Sequence, residues 1–585
     1  MNSLKKILKK NIKIILLLTF LSFLVYFNSL KGDFAVVDDL FGFVKNEQIR
    51  NLPSTLKTLN LQNIVFSISL HFFKINPLPL HIFSLLLHIV IVVLSFLTIF
   101  QLFNKKVAIF ASLLFTTHPI NTEAIAWISG SIYLYNALFA FLTILSYLIF
   151  KKSQKLGFLL LSLLIYSLGI VLVRSPWVLA TPLALLIIDQ FLLEKSWSLS
   201  SLKKLGLFLI PMLIFYFSYV YKQQVERINP RQSIGYMNQQ SLKPVIESYP
   251  YTVYSLAKQY AFPKTLTIYY DGNKLSKTDY TLMYLVFTLY IAALLYCFKK
   301  DKKIAGTLLL LLILLAPTFS PKKIIWFFAD RYLYLGSAFY CALIAYILLK
   351  IEKKTKIKNL TLISIVVITF LFSVRTIIRN NDWKNPKSLA LATISTSPLS
   401  VRPYNDLAGA YYLEGNWKKA IEYYEKALLV FPNSNTAISN LGLIYLEKGL
   451  PDSLFAFNDL EEKSNPVSAE ANFQAGNEYF NKEDYRMALY YLVSAATTNP
   501  QHEKTWQLLG TIYMKNKDIS EAEKVFINLS SINPQSEIAF YNLGYIEFTK
   551  KNYTQALSYL EKTLEINPLH QGALDNLEVV KNILN

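Results

Sequence analysis

Prolines recur every 34 residues near the end of this chain. They stand at Pro432, Pro466, Pro500, Pro534 and Pro568. Glycines keep the same period at Gly442, Gly476, Gly510 and Gly544. A fixed period of this length is typical of stacked helix–turn–helix units, each of which buries its apolar face only against its neighbours. The sequence therefore predicts a helical solenoid over the last third of the chain.

The repeats are of the tetratricopeptide (TPR) type, and a closing helix is predicted at 569–585. The predicted units are 399–432, 433–466, 467–500, 501–534 and 535–568. Each unit ends in a proline, which cannot continue the preceding helix. Small residues that allow close helix packing follow the period at Ala488, Ala522 and Ala556, and the second unit departs with Pro451 and Leu454. The array is predicted to bind a peptide or protein in its concave groove.

The composition places the rest of the chain in a membrane. Hydrophobic residues make up 53% and aromatic residues 15% of the 585 residues, more than a soluble repeat protein carries. The formal charge is +21, but the lysines cluster in short loops between apolar stretches, which is the positive-inside pattern and argues against nucleic acid as a partner. The two cysteines, Cys297 and Cys341, predict neither a disulfide framework nor a zinc site.

About twenty apolar residues cross a bilayer as a helix, and eleven such spans are predicted. The first is interpreted as a retained helix rather than a cleaved signal peptide, because no small-residue cleavage site follows it. The predicted spans are 12–30, 80–102, 107–117, 131–150, 156–173, 176–193, 204–221, 280–298, 304–319, 332–349 and 359–377. The fold class is thus all-α: a polytopic helical bundle at 1–380, a linker at 381–398 and a TPR superhelix at 399–585.

The basic clusters set the predicted orientation. With these spans, every cluster falls on one side, which must be cytoplasmic. An odd number of spans then places the N-terminus in the cytoplasm and the repeats outside it. The outer loops are long, and one holds an amphipathic stretch at 64–73 while another, at 222–279, is rich in tyrosine.

Asp38 and Asp39 stand just beyond the first span, in the stretch GDFAVVDD. Adjacent carboxylates beside a bilayer are costly unless they are paired, hydrated or functional. Neighbouring side chains point in different directions, so one acid is expected to face a reacting centre while the other orients it. Such an acid suits a general base acting on a hydroxyl. An ordinary acidic loop is the alternative interpretation.

Other charged groups are predicted on the same outer side. His118 and Glu123 lie in TTHPINTEAIAWISG, where the alternative is a capping cluster with Trp127 at the interface. Asp330 and Arg331 open a span in ADRYLYL. An arginine there can bind a phosphate, or it can form an ion pair with the aspartate. The remaining arginines are Arg375 and Arg379, one helical turn apart in RTIIRNNDW, and Arg174 between two spans.

These motifs and their order resemble one family of membrane enzymes. GDF…VDD, HPINTEAIAW, ADRYLYL, RTIIRNNDW and then the repeats are similar to the transmembrane and TPR-repeat-containing (TMTC) O-mannosyltransferases, within the GT-C class of glycosyltransferases. The resemblance covers nearly the whole chain. It implies transfer of a sugar, by analogy mannose, from a polyprenyl phosphate to Ser/Thr hydroxyls of extracytoplasmic protein, with inversion. No cofactor is predicted, and the two adjacent carboxylates Asp38 and Asp39 are a weak signal for a divalent cation.

The resemblance also implies roles for individual residues. Asp38 or Asp39 stands where the catalytic carboxylate of the class sits, and His118 and Glu123 line the same cavity, so that Asp38, Asp39 and Glu123 are the catalytic candidates. Arg331 neighbours the donor phosphate. The full set of donor-binding candidates is His118, Arg174, Asp330, Arg331, Arg375 and Arg379.

Two departures from the family pattern stand out. Arg174-Ser175 replaces a Lys-Glu pair, which keeps only the positive charge, and Asp330-Arg331 replaces Glu-Arg. A composition rich in Lys, Ile and Asn suggests a bacterial membrane. Two alternatives stay open: a non-catalytic membrane scaffold, which would tolerate neutral residues at Asp38 and Asp39, and a lipid-linked sugar transporter, which would place its charges near the bilayer midplane.

Overall fold

The computed structural model is all-helical, as predicted. No β-strand occurs among the residues that the structure describes. These are 7–35, 39–44, 46–175, 180–194, 199–217, 245–270, 277–315, 328–432, 434, 436–438, 440–441, 444 and 466–584. They fall into two compact units, one ending at Asp406 and the other beginning at Leu407.

The first unit is a bundle of apolar helices. Its helices are α1 (Ile12–Tyr26), α2 (Leu52–Lys57), α3 (Leu61–Phe73), α4 (Leu78–Leu102), α5 (Lys105–Thr117), α6 (Thr122–Ala126), α7 (Ser131–Ser153), α8 (Leu156–Val173), α9 (Thr181–Ile187), α10 (Leu199–Gly206), α11 (Leu209–Phe215), α12 (Val245–Ala261), α13 (Lys277–Lys300), α14 (Lys302–Leu314), α15 (Tyr334–Thr355), α16 (Leu360–Asp382) and α17 (Pro386–Thr396). Short 3-10 turns at Pro119–Asn121 and Asp330–Leu333 precede α6 and α15.

Seven helices in the described part of the chain are long and apolar enough to cross a membrane. These helices are α1, α4, α7, α8, α13, α15 and α16. The apolar segments of α1 and α15 include the adjoining 3-10 turn, and that of α13 begins one residue later than the helix. They coincide with seven of the eleven predicted spans. At the other four predicted spans the described helices are shorter: α5, α9 with the turn that follows it, α10 with α11, and α14. The prediction of a multi-pass helical bundle is confirmed.

Polar contacts tie together the helix ends at one end of this bundle. Asn380 of α16 donates to the carbonyl of Val25 in α1 at 2.9 Å, and Thr376 donates to the carbonyl of Thr117 at the end of α5 at 2.7 Å. Asn28 donates to the carbonyl of Ile377 at 2.9 Å. The C-terminal ends of α1, α5 and α16 therefore meet, and the residues that follow them share one region.

A helix occupies most of the predicted linker at 381–398. Its start is a capping box, in which the Asn385 side chain accepts from the backbone of Ser388 and the Ser388 hydroxyl accepts from the backbone N–H of Asn385. Pro386 at the first helical position favours the helix further. The sequence Asn-Pro-Lys-Ser contains both signals, so the helix α17 within the predicted linker could have been predicted from the sequence.

The last region consists of paired antiparallel helices, as the 34-residue period predicts. The helices are α18 (Arg402–Leu413), α19 (Trp417–Val430), α20 (Pro466–Asn481), α21 (Tyr485–Thr498), α22 (Glu503–Lys515), α23 (Ile519–Ile532), α24 (Glu537–Thr549), α25 (Tyr553–Ile566) and the closing α26 (Gln571–Leu584). The boundary between the two compact units falls inside α18. Gly442, Pro451 and Leu454 of the second repeat lie outside the described residues.

The periodic glycines are sites of close helix approach. A Cβ added at Gly510 in α22 would lie 2.5 Å from a ring carbon of Phe526 in α23, and one at Gly476 would lie 2.6 Å from Leu492 Cγ. Contacts this short require the neighbouring side chain to move. The period of glycine in the sequence thus reflects the packing of the two helices within each repeat.

Gly510→Ala is expected to destabilise the repeat array by about 1–3 kcal/mol, because the added methyl group overpacks the contact with Phe526. Amide hydrogen exchange of α22 and α23 in the full chain measures this effect. Gly409→Ala in α18 is the matched control, since its Cβ would meet Tyr424 Oη at an ordinary 3.6 Å. Equal exchange rates in the two variants would contradict the packing explanation.

Candidate active site

The centre of the candidate site is a buried ion pair between Glu123 and Arg331. Glu123 Oε1 lies 2.5 Å from Arg331 Nη1, and Oε2 accepts the backbone N–H of Arg331 at 2.9 Å. The Glu123 side chain is 1% exposed and that of Arg331 is 8% exposed. Because Arg331 engages both oxygens of Glu123, this acid is placed to orient Arg331. The sequence-based assignment of Glu123 as a catalytic group stays a prediction.

Aromatic rings enclose the Arg331 guanidinium. Its carbon lies 5.3 Å from the Trp127 ring centre and 5.1 Å from that of Tyr332. The Tyr133 hydroxyl accepts from Arg331 Nε at 3.3 Å. Planar stacking and fixed hydrogen bonds hold the guanidinium in one orientation.

Asp330 lies beside this pair and is 1% exposed. The Tyr270 hydroxyl donates to its Oδ1. Burial, and next to it the negative charge of Asp330, raises the pKa of Tyr270 well above its ordinary value, so the phenol keeps its proton and remains a donor. Asp330 also interacts electrostatically with Glu123, Arg331 and Arg379. The structure therefore brings together four charged groups that the sequence listed separately or in pairs.

Arg379 and two tryptophans present hydrogen-bond donors that lack acceptors. The guanidinium of Arg379 donates through Nη1 to Asp382 at 3.0 Å and stacks 5.8 Å from the Trp383 ring. Trp383 in turn stacks on Trp127, with ring centres 6.2 Å apart. Arg379 Nη2, Trp127 Nε1 and Trp383 Nε1 are buried and have no hydrogen-bond partner among the described residues.

Buried donors without acceptors cost about 1–3 kcal/mol each, more for a charged group. A bound anion would accept from all three if they face it together. One cation and two neutral indoles match a singly charged phosphodiester, which carries acceptor oxygens on several sides. This set of donors is termed the Arg379–Trp cluster below.

Asp39 is bound by Ser129, which lies in the turn between α6 and α7. Its Oδ1 accepts from the Ser129 N–H at 2.9 Å and from the Ser129 hydroxyl at 2.6 Å, and the carboxylate is buried. The turn requires glycine at the next position, because a Cβ on Gly130 would lie 2.8 Å from the carbonyl oxygen of Glu123. Glu123 and Asp39 are thus linked through the segment 123–130. Asp38 lies outside the described residues.

His118 does not join the charged cluster. Its Nε2 lies 3.1 Å from the carbonyl oxygen of Tyr260, and its Nδ1 accepts the N–H of Ile120 at 3.3 Å. Burial lowers its pKa to about 3, so the ring is neutral. One ring nitrogen therefore contacts the backbone of Tyr260, and the other contacts the backbone of Ile120 in the 3-10 turn Pro119–Asn121. The expectation that His118 binds the donor stays a prediction, and in this structure both ring nitrogens contact backbone groups.

Arg174 and Arg375 bind backbone carbonyls. Arg174 ends α8 and donates through Nη2 to the carbonyl of Thr58. Arg375 donates to the carbonyls of Pro263 at 3.3 Å and Lys264 at 3.1 Å, one turn before Arg379. These contacts fasten neighbouring segments, and the donor-binding assignment of both arginines stays a prediction. Arg331 and Arg379 both interact with Asp330, and Arg375 interacts electrostatically with Arg379 and Asp330 as well.

Several residues of the site were missing from the sequence-based list. They are Trp127, Ser129, Tyr133, Tyr270, Tyr332, Asp382 and Trp383. All but Tyr133 and Tyr270 lie inside the motifs that carry charged candidates, so motif membership was the available signal. Among the described residues, no group of three or more His, Cys, Asp or Glu side chains is arranged to hold a metal ion.

The fold and site define a class: a multi-pass helical membrane protein with a buried cluster of charged residues where helix ends meet, followed by TPR repeats. Tetratricopeptide-repeat family models match residues 401–434, 479–543 and 538–568. Among solved structures, the first TPR domain of Spaghetti (RPAP3), bound to an HSP90 peptide, aligns with 21% of this chain and 98% of its own at 20% identity and a TM-score of 0.20.

The curated relatives carry the resemblance across both parts. The chain is 25% identical over 483 residues to mouse "Protein O-mannosyl-transferase TMTC3", which covers 72% of this chain and 51% of the relative. It is 25% identical over 510 residues to human "Protein O-mannosyl-transferase TMTC1", covering 72% and 56%. It is 24% identical over 466 residues to "Protein O-mannosyl-transferase F38B6.6" of Caenorhabditis elegans, covering 72% and 64%.

The chain therefore spans about half to two thirds of the length of these relatives. Their names confirm the resemblance to the TMTC family that the motifs predicted.

Proposed function

We propose that this chain is a membrane glycosyltransferase that moves a sugar, by analogy mannose, from a polyprenyl phosphate to Ser/Thr hydroxyls of protein. The observation that carries the proposal is the Arg379–Trp cluster, whose three buried donors lack acceptors beside the Glu123–Arg331 pair. A phosphodiester on a lipid tail fits such a set because its tail stays in the bilayer while its phosphate accepts hydrogen bonds. The names of the relatives support the transferase class.

The proposed reaction is a single displacement. The acceptor hydroxyl oxygen attacks the anomeric carbon, the bond from that carbon to the phosphate oxygen breaks, and polyprenyl phosphate leaves with the electron pair. The hydroxyl proton passes to a carboxylate of the Asp38–Asp39 pair. Arg379 and the indole donors hold the phosphate of the bound donor and of the leaving polyprenyl phosphate. No metal has a role in this scheme.

The proposed topology follows from the lysine clusters. The N-terminus lies in the cytoplasm, and the repeats and the site lie on the opposite face of the membrane, by composition a bacterial one. The concave groove of the repeats then binds acceptor protein. A non-catalytic scaffold is the second candidate, favoured by the TPR tail alone, since such repeats often serve only to assemble partners.

Membranes that contain the full chain test the proposal against the scaffold. They are supplied with radiolabelled polyprenyl-phosphate mannose, and label transferred to protein is counted against membranes without the chain. Transfer that depends on the chain supports the enzyme. Absence of transfer from mannose, glucose and arabinose donors alike would favour the scaffold.

Arg379→Gln is expected to raise the donor KM about ten- to hundredfold and to change kcat less. A charge-assisted hydrogen bond contributes about 1.5–3 kcal/mol, and each 1.4 kcal/mol is tenfold. Initial rates at varied donor concentration measure the effect. Arg375→Gln, one turn earlier on α16, is the matched control, because its guanidinium binds the carbonyls of Pro263 and Lys264. An equal rise in both variants would argue against a phosphate at Arg379.

A further inference from the structure

We propose that His88, in the middle of α4, is a positioning residue for the turn that carries Asp330 and Arg331. It acts through Tyr334, the first residue of α15. The proposal rests on the proposed function, in which Arg331 of that turn lies against Trp127 of the donor-binding Arg379–Trp cluster. It adds a residue from a helix that contributes none of the charged groups described above.

The contact is direct and fully buried. His88 Nδ1 lies 2.7 Å from the Tyr334 hydroxyl, and His88 is 0% exposed within a 25-residue apolar helix. Its ring packs 5.1 Å from the ring of Tyr26 and 5.7 Å from that of Phe115. A polar ring at such a position is costly in a membrane protein and marks a functional site by default.

Tyr334 follows the 3-10 turn Asp330–Leu333 without a gap, so a shift of Tyr334 moves that turn. Two further contacts fix the same point: the Tyr260 hydroxyl donates to the carbonyl of Leu333 at 2.8 Å, and the Ser337 hydroxyl donates to Asn121 Oδ1 at 3.0 Å. His88 supplies the corresponding contact from α4. The position of Arg331 against Glu123 then depends on α4 as well.

Stability alone does not account for this histidine. The Tyr26 hydroxyl, against which the His88 ring packs, is buried with no hydrogen-bond partner among the described residues, and the backbone of Thr116 also contacts the His88 ring. Unpaired buried groups cost free energy, and an apolar side chain of similar shape would avoid that cost. His118 differs, because both of its nitrogens are engaged by backbone groups. His88 instead makes a side-chain hydrogen bond, the one to Tyr334.

Asparagine and glutamine at position 88 separate this bond from general polarity. The amide atoms of asparagine lie two bonds beyond Cβ, as Nδ1 does, whereas those of glutamine lie three bonds beyond, as Nε2 does. His88→Asn is therefore expected to keep the contact with Tyr334, and His88→Gln to lose it. Tyr334→Phe removes the same bond from the other side. His71→Asn is a matched control, because His71 is exposed on α3.

Two measurements on the purified full chain decide the matter. In amide hydrogen exchange, His88→Gln and Tyr334→Phe should each speed exchange of residues 330–334 by about tenfold, with no further gain in the double variant. His88→Asn and His71→Asn should match the wild type. In steady-state transfer, the first two variants should raise the donor KM about tenfold with kcat within twofold.

Unchanged exchange at 330–334 in both His88→Gln and Tyr334→Phe would overturn the proposal, as would His88→Asn behaving like His88→Gln. Faster exchange with an unchanged donor KM would also overturn it, since the turn would then move without consequence for the donor. If the wild type transfers no sugar, the proposed function fails separately. The KM is then replaced by the Kd for farnesyl phosphate, a monophosphate with a polyprenyl tail, and the same tenfold weakening is expected.

Discussion

Arg331→Met is expected to destabilise the membrane body by about 3–5 kcal/mol and to abolish transfer. The substitution leaves the Glu123 carboxylate buried without a counter-charge, in a site where the pair is at most 8% exposed. Removing one partner of a buried ion pair is strongly destabilising, because the remaining charge stays desolvated. Glu123→Gln should destabilise by a similar amount through the unpaired guanidinium.

The double variant Glu123→Gln/Arg331→Met separates stability from function. Replacing both members of a buried ion pair with neutral groups is often close to neutral for stability. The double variant should therefore regain most of the lost stability while transfer stays absent, since the Arg331 guanidinium no longer lies over Trp127 of the Arg379–Trp cluster. Thermal unfolding of the detergent-solubilised chain and the transfer assay measure the two properties on the same preparation.

An exposed pair of the same length provides the control. Lys426 Nζ lies 2.5 Å from Glu422 Oε1 in α19, but the two side chains are 42% and 52% exposed. Solvent screens such a pair, so Lys426→Met should change stability by less than about 1 kcal/mol. A loss at Arg331 no larger than the loss at Lys426 would show that burial does not set the contribution of the Glu123–Arg331 pair.

The sequence predicts the parts of this molecule whose signals are local. The 34-residue period indicates the paired helices of the tail, and apolar runs of about twenty residues indicate the long helices of the body. Capping signals are local too: the Asn385–Ser388 box accounts for α17, although the segment was predicted to be a linker. The two shortest predicted spans, 107–117 and 304–319, correspond to the short helices α5 and α14.

Local sequence signals do not predict which charged residues of the site form pairs, because the paired residues are far apart in the chain. Glu123 and Arg331 are separated by 208 positions, and nothing in either motif says that they meet. Nor does a motif show which polar groups are already engaged. His118 and Arg375 have the chemistry of ligand-binding residues, yet backbone carbonyls and N–H groups occupy them. The same motifs contain Trp383 and Ser129, whose roles appear only from the contacts.

Asp39→Asn is expected to lower kcat for sugar transfer by about 10²–10⁴ and to leave the fold and the donor KM unchanged. General-base catalysis contributes about that factor, and an amide cannot accept the hydroxyl proton. The fold should survive because the asparagine oxygen still accepts from the N–H and hydroxyl of Ser129, which bind Asp39 Oδ1 at 2.9 and 2.6 Å.

Ser129→Ala is the matched variant for the geometry of this acid. It removes the 2.6 Å bond and keeps the carboxylate, so kcat should fall by less than about tenfold, as for one hydrogen bond of roughly 1 kcal/mol. A wild-type rate in Asp39→Asn together with a collapse in Asp38→Asn would assign the base to Asp38 and leave Asp39 to orient it. Wild-type rates in both variants would remove the Asp38–Asp39 pair from the mechanism, because no proposed step of the displacement would then depend on their charge.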